Sequence, residues 1–226
     1  MIDTIEGAAP PMEAETIVER EGLDGGAKRR QVMDGARAAF LNAGFDGASM
    51  NDIARAASVS KGTLYAYFDS KERLFEALIR EDKEQQAERL CIFPRDGGDP
   101  AVLLQDFGQR LLEMILRPEA IAQVRVVIAA TARFPQLGRA FYEAGPRYGV
   151  TRLAAQIEAF AKAGALSVAN PEAAARQFIN LCCSDFHKQV LFGVAASVSP
   201  EAIRAGVDEA VEVFLKVYRP AAPPVA

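Results

Sequence analysis

The sequence predicts an all-α fold in two parts, a three-helix unit followed by a larger helical body. Three observations carry this reading. Apolar residues recur at steps of three and four along most of the chain, proline heads several of the periodic segments, and no alternating run is bounded by hairpin turns.

The 226 residues are 50 % apolar and 25 % charged, enough to bury a substantial core. The longest uncharged run, Gln189 to Pro200, is twelve residues and falls short of the ~20 that a membrane helix needs. No secretory signal is recognisable at the N-terminus, so a cytoplasmic location is expected. The three cysteines are an odd number, with Cys182 and Cys183 adjacent, and reduced, buried thiols are expected rather than a disulfide framework. The net charge of −4 is unevenly spread. Residues 1–26 hold seven acids against one arginine, whereas residues 28–73 carry eight basic residues against five acids.

Residues 1–26, acidic and without apolar periodicity, are expected to be a disordered leader. From Ala27, the series Val32, Ala36, Ala39, Phe40 and Ala43 marks a first helix, with Gly44 as its stop. Ser49 can cap a short second helix bearing Met50, Ile53, Ala54 and Ala57, and Ser60 a third over Lys61 to Phe68. Ser70 starts a fourth, running to about Leu90. Pro94, Gly97, Gly98 and Pro100 form a linker. Beyond it helices are expected over 101–116, 118–134, 136–163 with an interruption at Gly145-Pro146, 171–193 and 200–218, and then a frayed tail. The domain reading is therefore 27–87, with its helix-turn-helix motif at 49–68, and 88–219.

Two short helices joined by a three-residue turn have helix-turn-helix spacing. On the third, Leu64 and Phe68 point to a core with Ile53, Ala57 and Val59. The other side carries the small residues Gly62 and Ala66, rimmed by Thr63 with Tyr67 and by Lys61 with Tyr65. Such a face admits close approach to a major groove, with hydroxyls and a lysine placed for the phosphates that line it. The helix starts at Ser49, Ser60 and Ser70-Lys71 present free N–H groups suited to phosphate, and Lys28, Arg29 and Arg30 can add contacts.

The pattern Val32 to Phe40, Gly44-Phe45, Ser49-Met50-Asn51-Asp52-Ile53-Ala54, Ala57 to Phe68 and Ser70-Lys71-Glu72-x-Leu74 strongly resembles the TetR family of transcriptional regulators over about 28–79. The resemblance implies that Ser60 to Phe68 form the recognition helix and that Ser49, Lys61, Thr63, Tyr65, Tyr67 and Lys71 face DNA. Ser58 departs from the family's usual glycine, so the turn must accept a side chain and an unfavourable φ. Ala66 stands where many members of the family carry a bulkier side chain, so a different base readout is expected there.

Arg133-Phe134-Pro135-x-Leu137, Phe141-Tyr142-Glu143-x-Gly145-Pro146 and Pro171-Glu172 to Phe178 resemble the AefR-like subgroup. This implies an all-helical C-terminal domain that binds a small molecule and dimerises through its last long helices. Val190, Leu191, Phe192 and Val194, with Val207, Val211, Phe214 and Val217, supply apolar surface for a twin. Phe107, Leu111, Met114, Ile128, Phe141, Tyr142, Phe178, Cys182 and Phe186 are candidate walls of an effector pocket.

No enzyme chemistry is assembled. Ser184, Asp185 and His187 lie on successive positions of one helix and radiate apart, no nucleophile-elbow motif is present, and phosphate-binding and dinucleotide-binding glycine patterns are lacking. The single histidine beside two adjacent cysteines has poor metal-ligand spacing, so no metal or cofactor is expected. The sequence therefore reads as a homodimeric repressor of a palindromic DNA operator, released by a small, largely apolar effector and working away from membranes. The alternatives are a dimeric ligand-binding or interaction module without DNA binding, and a helical enzyme.

Overall fold

The computed structural model describes residues 14–93 and 98–220, with side chains from residue 26 onward. Helix α1 (Ala14–Gly47) starts earlier than the expected Ala27. Residues 14–21 contain no proline or glycine and carry three glutamates, which are good helix formers and place acids near the positive end of the helix dipole. The rest of the expected leader, residues 1–13, and the tail after Pro220 lie outside the described residues. Gly44 takes φ 71°, which interrupts the regular helix where the stop was expected.

Helices α2 (Met50–Ala56), α3 (Lys61–Tyr67) and α4 (Lys71–Leu90) each begin on a serine cap. Ser49, Ser60 and Ser70 accept the backbone N–H of Asp52, Thr63 and Arg73 at 3.2, 3.0 and 3.2 Å. Helix α1 crosses the end of α2 closely. A Cβ on Gly35 would stand 2.4 Å from the Ala57 nitrogen, so only glycine fits, and Gln31 Nε2 donates to the Ala57 carbonyl at 2.7 Å. The turn between α2 and α3 puts Ser58 at φ 52°, the strained backbone expected of a side chain in a glycine position.

After the linker come α5 (Pro100–Ile115), α6 (Pro118–Thr131), α7 (Pro135–Tyr142), a single π-helical turn over Glu143–Arg147, α8 (Tyr148–Lys162), α9 (Pro171–Cys183), α10 (Phe186–Leu191) and α11 (Pro200–Tyr218). Proline starts α5, α6, α7, α9 and α11, where its missing N–H costs nothing. The segment 136–163 is interrupted at Gly145-Pro146 as expected, by the π turn. The expected helix 171–193 is instead two. Ser184 adopts φ 39°, which ends α9 and re-aims α10.

Two apolar cores form. The first joins Val32, Phe40, Ile53, Leu64, Phe68 and Phe75 to Val127 and Ala130 of α6 and Leu137 and Ala140 of α7. The head is thus not walled off at residue 87, because α6 and α7 complete its core. The second holds Phe107, Phe178 and Phe214, whose ring centroids stand 6.4 and 5.4 Å apart in succession. No strand occurs among the described residues, and none of their helices is long and apolar enough to cross a membrane.

Candidate nucleic-acid interface and ligand cavity

Helix α3 is held from behind and bare in front. Leu64 is fully buried and Phe68 nearly so, while Lys61, Gly62 and Ala66 are exposed, with Tyr65 49 % and Tyr67 36 % accessible. Both tyrosines offer a phenolic donor at the edge of a small-residue strip, and the lysine adds a charge. Thr63 is half-buried, its hydroxyl 2.8 Å from Ser60 Oγ, so these two side chains stabilise the helix start. Ser49 is similarly engaged. Its hydroxyl donates to Asp52 at 2.5 Å, and this bond is the main cause that holds the Asp52 carboxyl below its ordinary range.

Three basic residues are less free than the sequence implied. Lys71 Nζ donates to the carbonyls of Phe45 and Ala48 at 2.7 and 3.0 Å and sits 4.4 Å from the centre of the Phe45 ring. It braces the turn between α1 and α2. Lys28 Nζ donates to Gln31 Oε1 at 3.2 Å, and Arg29 pairs with Glu81 of α4 at 2.7 Å, tying α1 to α4.

The helical body holds a cavity of about 380 Å³ walled by α4 to α10. Of the expected wall residues, Phe107, Leu111, Met114, Phe141 and Tyr142 line it. The other four do not. Ile128 is 58 % exposed on α6. Phe178 and Cys182 are fully buried in the second core, behind the cavity. Phe186 lies against Gly206, where a Cβ would stand 2.6 Å from its ring, and so pins α10 to α11.

Polar residues that the sequence did not assign to a pocket also line the cavity. Lys83, Gln86, Arg176, Asn180 and His187 interrupt an otherwise apolar wall. Burial lowers the His187 pKa below its ordinary value, and burial lifts the Cys183 thiol to about 11, so neither carries charge near neutrality. Lys83 had a signal in the sequence. It falls at step four between Ile79 and Ala87, on the buried stripe of α4.

A polar cleft of about 430 Å³ opens against another face of α4. There Asp82 accepts from Arg37 of α1 at 2.5 Å and from Gln123 of α6 at 3.1 Å. The bond to Asp82 is the largest cause that raises the Arg37 pKa above its ordinary value. This clasp joins the head to the body one residue from Lys83.

The expected dimer residues divide by burial. Val207, Val211 and Phe214 are inside the second core because α11 packs onto α5, with Val207 against Gly108, and Val190 of α10 is buried too. Val194 and Phe192 are largely exposed, Leu191 is half-buried, and Leu181, Val213 and Val217 add exposed apolar side chains on α9 and α11.

Residues 32–78 match the bacterial regulatory proteins of the tetR family, and residues 102–220 match the AefR-like transcriptional repressor C-terminal domain. The HTH-type transcriptional repressor Rv1474c of Mycobacterium tuberculosis is 43 % identical over 61 residues, 27 % of this chain and 33 % of that protein. The HTH-type transcriptional regulator UidR of Escherichia coli is 41 % identical over 61 residues, 27 % of this chain and 31 % of that one. The chain thus spans about a third of the length of these curated relatives. Among solved structures, the Flavonoid-responsive Regulator FrrA superposes with a TM-score of 0.77 at 36 % identity, covering 87 % of this chain and all of FrrA. With the C-terminal match running over more than half of its length and FrrA aligned from end to end, the chain belongs to the TetR family, with an AefR-like C-terminal domain.

Proposed function

We propose that this chain is a sequence-specific DNA-binding repressor of transcription, not an enzyme. It acts as a cytoplasmic homodimer on a palindromic operator and leaves it when a small, largely apolar molecule enters the cavity. One observation carries the reading: an exposed strip of Gly62 and Ala66, flanked by Lys61, Tyr65 and Tyr67, on a helix whose opposite side is locked into the head's core. Two such helices would enter successive major grooves about 34 Å apart.

The release step rests on the cavity and on α4. An effector acts only through unequal affinity for the DNA-competent and incompetent arrangements. Helix α4 borders the cavity through Lys83, Ala87 and Leu90, and grips α1 through Asp82, so a ligand that shifts α4 also shifts the head. FrrA carries the description flavonoid-responsive, and the aromatic walls Phe107, Phe141 and Tyr142 suit a flat aromatic guest here too.

Genomic fragments selected by the purified protein, with and without a panel of aromatic metabolites, test both halves. A recurrent palindrome should emerge and be lost with one class of compound. On that palindrome, Tyr67→Ala and Lys61→Ala should each weaken binding about tenfold, and the lysine change should lower the salt slope by about one. Unaltered affinity in both variants would remove α3 from the interface.

A further inference from the structure

Lys83 is out of place for a plain apolar pocket. It is only 7 % exposed, lines the cavity, and its stem packs on Gly145, where a Cβ would come within 3.1 Å of Lys83 Cδ. Its ammonium donates to Gln86 Oε1 at 2.9 Å and stands 4.4 Å from the centre of the Phe141 ring. Among the described residues it forms no ion pair. The adjacent carboxylate, Asp82, is committed to Arg37 and Gln123 in the cleft beyond. An ammonium has three donors, and a buried one is normally paired.

We infer that the cavity is built for an aromatic acid, whose carboxylate docks on Lys83 while its rings lie among Phe107, Phe141 and Met114. The inference rests on reading this cavity as the effector site. It follows from where the cost of burying charge falls. Folding already strips Lys83 of water, so a carboxylate arriving there gives up only its own hydration and meets a preorganised, charge-assisted partner. A neutral guest of the same shape fills the same apolar space and leaves the ammonium unpaired. Burial lowers the Lys83 pKa to about 8, so the amine is still mainly protonated at neutral pH, and an anion beside it would hold it so.

The test uses the full chain, with N-phenyl-naphthylamine as a fluorescent reporter of the cavity and two displacing probes, para-phenylbenzoate and its neutral isostere para-phenylbenzamide. The carboxylate should displace the reporter at about tenfold lower concentration than the amide at pH 7. In Lys83→Met, which keeps the side-chain volume, the two should become equal. Gly149→Leu supplies the location control. Gly149 is buried on α8, lines the cavity and has no heavy atom within 4 Å of its would-be Cβ, so leucine there grows into the space and should exclude reporter and probes alike. Equal displacement on the natural chain, or a carboxylate preference that survives Lys83→Met, overturns the acid. Reporter binding that is absent, or unchanged in Gly149→Leu, overturns the cavity as effector site and the inference with it. The comparison on the natural chain needs no variant, so a poorly folding substitution cannot shelter the idea.

Discussion

Lys83 also has a consequence for stability. Burial takes its pKa from 10.5 to about 8, so between those values the unfolded chain holds more protons than the folded one, and stability rises with pH across that window. Below pH 8 both states are protonated and the cost is constant, roughly 3 kcal/mol if the whole shift is counted. Lys83→Met removes it but also removes the bond to Gln86 and the contact with Phe141. The variant should therefore be more stable than the natural protein by about 1–3 kcal/mol at pH 7. Urea unfolding of both chains from pH 6.5 to 9.5 should show the gap constant up to about 8 and narrowing above it. Other titrations common to the two chains cancel in the difference. A gap that widens with pH would mean that the lysine is not held against its charge.

At the scale of elements, the three serine caps and the small-residue strip of α3 were legible because each depends on residues within one turn of helix. Lys71 was not. Its position at the start of α4 suited a phosphate contact, but its partners, the carbonyls of Phe45 and Ala48, are a helix and more away in sequence and come within reach only when the turn after α1 folds back. The same distinction explains Ser184. Nothing in the series Cys182-Cys183-Ser184-Asp185 breaks helical periodicity, and the positive φ that separates α9 from α10 accompanies the docking of Phe186 on Gly206. For Lys71 the two roles separate experimentally. Lys71→Met should lower the melting temperature, corresponding to about 1–3 kcal/mol for two charge-assisted bonds and a cation–π contact. Measured well below that temperature, its operator binding should keep the natural salt slope, unlike that of Lys61→Ala. A slope reduced by about one would return Lys71 to the DNA backbone.

At the scale of the whole molecule, helical periodicity disclosed the all-α class and a head followed by a body, but not how they share cores. Val127, Ala130, Leu137 and Ala140 look like any other apolar positions in α6 and α7, and only the tertiary arrangement assigns them to the head. The second core likewise absorbs Val207, Val211 and Phe214, which periodicity alone offered equally to a partner subunit. What α9 and α11 leave outside is Leu181, Val213 and Val217, the last 65 % exposed, on helices joined through Tyr218 and Gln177. Large apolar side chains at that exposure on neighbouring helices suit a second copy of the same surface. Leu181→Glu with Val217→Glu should then shift the protein from dimer to monomer in sedimentation velocity while leaving its melting temperature nearly unchanged. Operator affinity should collapse although α3 is untouched, because each recognition helix would have to bind alone. Val207→Ala should behave in the opposite way. It opens a void beside Gly108 that costs about 1–3 kcal/mol of stability, and the protein should stay dimeric. A double glutamate variant that remains dimeric would move the interface to another face, with Phe192 and Val194 after α10 the next exposed apolar residues to probe.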